Sequence, residues 1–184
     1  DYDAGGIFSP DHAAAIDGTI TITDVDDDNL GGGLVKISSG YQSNLNDRLI
    51  LTPQFGITGS FNTDTGVLTI SGTNTKANYV TVLKSITYDT SHEDPTNNSA
   101  SRNLTITWVV TDADSDGANP ATSAATGVIS TINIIPTNDA PEVTGIGTLA
   151  YTEDYDALGN FLEDHAAVID GTVSIHDDDD AYLT

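Results

Sequence analysis

The chain of 184 residues contains no cysteine and no methionine. Disulfide staples, thiolate metal sites and soft-metal ligation are thereby excluded, and stability has to come from packing or from hard oxygen ligands. Basic residues are scarce: Lys36, Lys76, Lys84, Arg48 and Arg102 face 28 Asp and Glu, a net charge of −23. Such a balance repels nucleic acid and anionic membrane surfaces, so neither is expected as a partner. No apolar run reaches the roughly 18 residues of a membrane-spanning helix, and no basic segment leading into an apolar one marks a signal peptide. Nor is there a nucleophile elbow, an HExxH helix or a phosphate-cradling loop, so enzymatic activity is not expected.

What is present is a repeat. Residues 1–30 return at 154–183, an offset of 153, with 19 of the 30 positions identical. DHAAAIDGT at 11–19 becomes DHAAVIDGT at 164–172, and DVDDDNL at 24–30 becomes DDDDAYL at 177–183. A period this long is a whole domain and not a solenoid turn, so the sequence reads as one period and the start of the next, an excerpt of a tandem array. Of the four histidines, His12 and His165 are one repeat position, which favours a structural role; His92 and His176 are scattered.

With 38% apolar residues the chain can bury a core. Alternation of apolar and polar residues predicts strands at 19–23 (TITIT), 34–38, 48–52, 57–61, 67–71, 85–88, 104–111, 127–135 and 143–152, with polar turn residues in most gaps. Asn62, Thr63, Asp64, Thr65 and Gly66 suit a tight hairpin with Gly66 at positive φ. Residues 75–85 shift closer to helical spacing, at Ala77, Val80 and Leu83 and then Lys84 and Ile86, and predict a short helix crossing between strands. Trp108, between Ile106 and Val110, is placed in the core. The expected class is all-β, an immunoglobulin-like sandwich with one short helix. Pro136 and Pro141 flank Asn138-Asp139 and stop a strand from running through, which divides the chain into 1–136, a stiff linker at 137–141, and 142–184.

The motifs NDAPEV at 138–143, YTED at 151–154, IDGTITITDVD at 16–26, FGITGSFNTDTGVLTISG at 55–72 and YVTVLKSITYDTS at 79–91 follow one another in an order that resembles the cadherin-like, immunoglobulin-like tandem repeats of giant bacterial surface adhesins of the RTX type. The resemblance covers nearly the whole chain. It implies an extracellular or cell-surface β domain strung in tandem, often binding calcium, that spaces an adhesive tip from the cell. Two stretches depart from it: residues 154–168, with their copy at 1–15, and the loop at 112–126 are both longer than the family's pattern.

So acidic a fold tolerates its self-repulsion best with a divalent cation among clustered carboxylates, and calcium, which takes six to eight oxygens, is the expected cofactor. Three clusters are candidates. Asn138, Asp139, Glu153, Asp177 and Asp179 form the set of parts with which cadherin-like repeats hold calcium between domains. Asp24, Asp26 and Asp28 repeat the 177–180 loop without the upstream linker, and are expected to bind weakly. Asp112, Asp114 and Asp116, followed by Gly117, have the spacing of the first half of an EF-hand loop, but Ser123 stands where its bidentate Glu belongs. His92, Glu93 and Asp94 form a further loop that could lend a ligand. A solvated acidic turn is the alternative at each, since charge runs are usually solvated.

The leading expectation is a calcium-stiffened spacer whose partners are neighbouring repeats of the same protein. Two alternatives stand beside it: a calcium-dependent module binding glycan or peptide through the loops at 112–126 or 92–101, and a filament subunit in which 142–184 pairs with an open strand edge of another copy.

Overall fold

The computed structural model describes residues 13–92, 94–97, 99–114, 120–123, 128–136, 141–145, 147–148, 155–160 and 169–177. The chain divides into two compact units, Asp1–Thr137 and Asn138–Thr184.

In the first unit the strands are β1 (Ala14–Ala15), β2 (Asn29–Ser39), β3 (Arg48–Ile50), β4 (Thr58–Asn62) and β5 (Val67–Thr75); then come helix α1 (Lys76–Lys84), β6 (Thr87–Asp89), β7 (Arg102–Asp112) and β8 (Ile129–Ile134). Every pairing is antiparallel, in a five-stranded sheet of order β4-β5-β2-β7-β8 and a three-stranded sheet of order β1-β6-β3. One core joins them: Val35, Ile37, Leu68, Ile70, Leu104, Ile106 and Trp108 from the larger sheet, Leu49 and Tyr88 from the smaller, and Tyr79, Val82 and Leu83 from the helix. The fold is thus all-β with one helix, in a sandwich-like arrangement. Period-two patterning produces it, since Val35 and Ile37 face inward while Leu34 and Lys36 face water.

Central strand β2 has neighbours on both sides, and a Cβ on Gly33 would lie 2.6 Å from the carbonyl oxygen of Val109. Glycine is therefore dictated there by the close approach of another backbone. The β4–β5 hairpin turns at 63–66 as expected: the Asn62 side chain accepts from the backbone N–H of Asp64 and Thr65 at 2.9 and 3.1 Å, and Gly66 has φ +67°.

Helix α1 crosses from β5 of one sheet to β6 of the other. Thr75 caps it by accepting from Asn78 N–H at 3.3 Å, and Lys84 sits in the last turn, where a cation opposes the helix dipole. Its buried face is Tyr79, Val82 and Leu83, whereas Ala77 is exposed and Val80 half-buried. Tyr79 brings a large apolar ring inward, and its hydroxyl donates to Gly72 O at 2.6 Å.

The expected strand at 19–23 needs correction. Ile20 is buried and Ile22 packs partly against the core, but among the described residues nothing hydrogen-bonds to the backbone of 20–23. The alternation there records packing without pairing.

In the second unit β9 (Glu142–Thr144) pairs antiparallel with β10 (Ser174–His176), and all six residues are exposed. The ladder ends at Thr144, short of the expected 143–152, and the chain turns so that Gly147 N–H donates to the Asp170 carboxylate at 2.6 Å. Residues 146 and 149–152 lie outside the described residues.

Candidate metal centre

The repeated IDGT motif closes the same turn in both units. Asp17 accepts from the N–H and hydroxyl of Thr19 at 2.8 and 2.6 Å, and Asp170 from those of Thr172 at 2.7 and 2.6 Å. The Thr hydroxyl in each case holds the carboxyl below the usual carboxylate range, helped at Asp17 by Ser130. Ser130 Oγ donates to Asp17 at 2.7 Å and accepts from the Trp108 indole N–H at 2.8 Å, so the buried tryptophan is tied through β8 to this turn.

Beyond that turn the chain packs Ile20 and Ile22 and enters the loop 24–28. Asp24 folds it by accepting from the N–H of Asp27 at 3.1 Å and of Asp26 at 3.4 Å, bonds that lower its pKa. The first residue of α1 then reaches in: the Lys76 ammonium donates to the carbonyls of Asp24 and Asp27 at 2.8 and 2.5 Å, and Lys76 N–H to Asp28 O at 3.2 Å. Carboxylate oxygens of Asp24, Asp26 and Asp27 come within 4.8 Å of one another, a group that could hold a metal ion.

The expected trio was Asp24, Asp26 and Asp28. Alternate residues converge only in extended chain, and a turn here instead brings Asp27 inward, 5% exposed, and leaves the Asp28 side chain 99% exposed and 4.0 Å from Lys76 Nζ. Asp27 could have been found from sequence, since it is one of the identical repeat positions, matching Asp180. The donors fit a hard divalent cation: three carboxylates supply half or fewer of the six to eight oxygens calcium takes, leaving the rest to water. Lys76 already takes the loop carbonyls of Asp24 and Asp27.

At the third candidate, Asp112 spends both oxygens on its own loop, accepting from Ala121 N–H at 2.8 Å and Asp114 N–H at 3.2 Å. The flanks continue as strand, with Ser123 N–H donating to Val110 O at 2.8 Å and Thr111 bridged to Thr122. Asp114 sits at φ +54°. Asp112 and Asp114 thus build a turn; Asp116 lies outside the described residues. Of the junction set, Asp177 follows β10 directly, while Asn138, Asp139, Glu153 and Asp179 lie outside the described residues. In the 92–96 loop the His92 ring accepts from Asp94 N–H at 3.1 Å, and buried Asp94 accepts from Thr96 N–H and hydroxyl at 3.0 Å each; Glu93 lies outside the described residues.

Sequence reasoning missed the buried charges altogether. Asp47, 2% exposed, accepts from Arg102, from the Tyr88 hydroxyl at 2.6 Å and from Gln42 N–H at 2.8 Å, while Arg102 also donates to the Tyr88 oxygen at 2.9 Å. Burial first, and then the Asp47 carboxylate, push the Tyr88 phenol well above its ordinary pKa. A second pair joins Arg48 to Asp89 across β3 and β6. An open cleft of about 470 Å³ lined by Tyr41, Asp47, Arg48 and Asp64 lies beside them.

No helix among the described residues is long and apolar enough to cross a membrane. Comparison of the chain with protein-family models, with curated proteins and with solved structures finds no match in any of the three.

Proposed function

We propose that the chain is an extender repeat of a bacterial surface adhesin, an immunoglobulin-like module stiffened by calcium that spaces an adhesive tip from the cell. The observation that supports this most directly is the convergence of Asp24, Asp26 and Asp27 in a loop that the sequence repeats at 177–180. A net charge of −23 supplies the demand for a cation, and a 153-residue period supplies the tandem architecture. Calcium is the ion the chemistry favours, because every candidate ligand is oxygen and no thiolate exists. Asp24, Asp26 and Asp27 would hold it in the first unit. In the second, Asp177 and Asp179 with Asn138, Asp139 and Glu153 are the proposed set.

Extracellular calcium modules bind at about 0.1–1 mM, and tenfold excess calcium stabilises a site by roughly 1.4 kcal/mol. The test is a calorimetric scan of the chain in calcium, in magnesium and in EGTA at matched ionic strength. Calcium is expected to raise the melting temperature by about 3–8 °C per loaded site relative to EGTA, and Asp24→Asn with Asp26→Asn to remove the first unit's share. Identical scans in calcium and EGTA would sink the proposal.

A further inference from the structure

The cleft of about 470 Å³ in the first unit gathers residues from four places in the chain: Tyr41 after β2, Asn46, Asp47 and Arg48 leading into β3, Asp64 in the β4–β5 turn and Ser91 after β6. Its charges are largely matched. Asp47 is held by Arg102 and the Tyr88 hydroxyl, and Arg48 by Asp89 on the paired strand, so Asp64 is the lining charge outside an ion pair among the described residues. One wall is an aromatic ring fixed from three sides. Tyr41 lies with a face on Gly66, where a Cβ would come within 2.9, 3.0 and 3.1 Å of Cγ, Cδ2 and Cδ1; its hydroxyl donates to Thr63 O; and it meets Phe61 edge-on with ring centroids 6.3 Å apart. Burial first, and then the carboxylates of Asp47 and Asp64, raise the Tyr41 phenol above its ordinary pKa, in keeping with both acids standing near the ring. The remaining wall is fixed as well: Asn46 N–H donates to Ser43 O at 3.1 Å, and the Thr90 hydroxyl donates to Leu45 O at 2.5 Å, which ties the segment carrying Ser91 to the turn carrying Asn46.

We propose that this cleft is a binding site for a neutral pyranose sugar, taken without metal. A pyranose offers an apolar face of C–H groups and a rim of hydroxyls that each donate and accept. The Tyr41 ring matches the face, on the side away from Gly66, while the carboxylates of Asp47 and Asp64, the Arg48 guanidinium, the Asn46 amide and the Ser91 hydroxyl supply acceptors and donors for the rim. The volume falls within the roughly 300–1,000 Å³ of small-molecule sites. Charge selects against ionic ligands: an anion has to approach a molecule of net charge −23, and a cation would meet Arg48 in a cleft whose Asp47 is already neutralised by Arg102. Side chains held in place before the ligand arrives lose little freedom when it binds. Calcium takes no part, so this inference and the spacer reading fail independently.

The test follows the amide resonances of the isotope-labelled full chain in EGTA while the methyl glycosides of glucose, galactose and mannose, N-acetylglucosamine, glucuronate and sorbitol are each titrated to ~50 mM, since a ligand of this size binds at the millimolar level. At least one neutral pyranose is expected to shift the amides of 41–48, 63–66 and 91 saturably, and sorbitol, an open-chain polyol without an apolar face, to leave them in place. Tyr41→Ala should weaken binding of that sugar about tenfold or more. Because Tyr41 also packs against the core, a second variant carries the test if the first fails to fold: Asp64→Ala with Ser91→Ala leaves every ion pair and hydrogen bond named above intact and should weaken binding about fivefold or more. The proposal is overturned if no neutral pyranose moves these amides, if sorbitol moves them as far as the sugars do, if glucuronate binds more tightly than the neutral sugars, or if the folded Asp64→Ala, Ser91→Ala chain binds as the unaltered one does.

Discussion

Asp47 and Arg102 are 2% and 8% exposed, so removing either strands its partner's charge away from water. Arg102→Ala should lower unfolding free energy by about 3–5 kcal/mol in urea titrations, because Asp47 would keep only Tyr88 and the Gln42 N–H. The same residues shape the pH response. Tyr88 has its phenol pKa raised in the fold, so the stability tied to its neutral form is complete below the unfolded value of about 10 and drains away as the pH climbs past it. Asp17, Asp24, Asp156 and Asp170 are shifted the other way, so their contribution is present above the unfolded carboxylate value of about 4 and is lost as the pH falls below it. Circular dichroism followed against pH should therefore show a plateau bounded by an acid limb and an alkaline limb, and Tyr88→Phe should remove Tyr88's part of the alkaline limb while lowering stability across the plateau, since buried Asp47 loses a hydrogen bond.

Helix α1 is nine residues long, too short to persist without its cap and its packing. Thr75→Ala should cost about 1 kcal/mol, read from chemical denaturation, while Thr75→Asp should preserve stability by supplying an equivalent acceptor. At this scale much was legible in sequence. Apolar alternation located β2, β5, β7 and β8, the Asn62 and Gly66 turn was readable from its residue types, and the switch to a 3.6 period located the helix. What misled was treating alternation as evidence of pairing: Ile20 and Ile22 alternate because one side meets a core, and pairing needs a partner that local pattern cannot reveal. The candidate metal loop was read to within one residue, since aspartate runs are visible but the turn that selects Asp27 over Asp28 depends on Lys76, some fifty positions away. Asp47, Arg48, Asp89 and Arg102 were invisible for the same reason, Arg48 and Asp89 being joined by the β3–β6 pairing and Asp47 and Arg102 by tertiary packing, neither by local spacing.

Three of the five basic residues, Lys76, Arg48 and Arg102, are engaged in contacts within the fold, and Asp27, Asp47, Asp89, Asp94 and Asp112 are buried. Self-repulsion at −23 should make the whole molecule salt-dependent: raising sodium chloride from low to physiological strength should raise the melting temperature by screening alone. A melting temperature insensitive to sodium chloride would show that the acidic side chains lie too far apart to repel one another. The single tryptophan gives a way to watch this in one unit by itself. Trp108 is 4% exposed with its indole N–H on Ser130, and the second unit holds no tryptophan, so the wavelength of intrinsic fluorescence reports the first unit and is blind to the other. Emission and far-ultraviolet dichroism that melt apart would thus show, without any label, which of the two yields first.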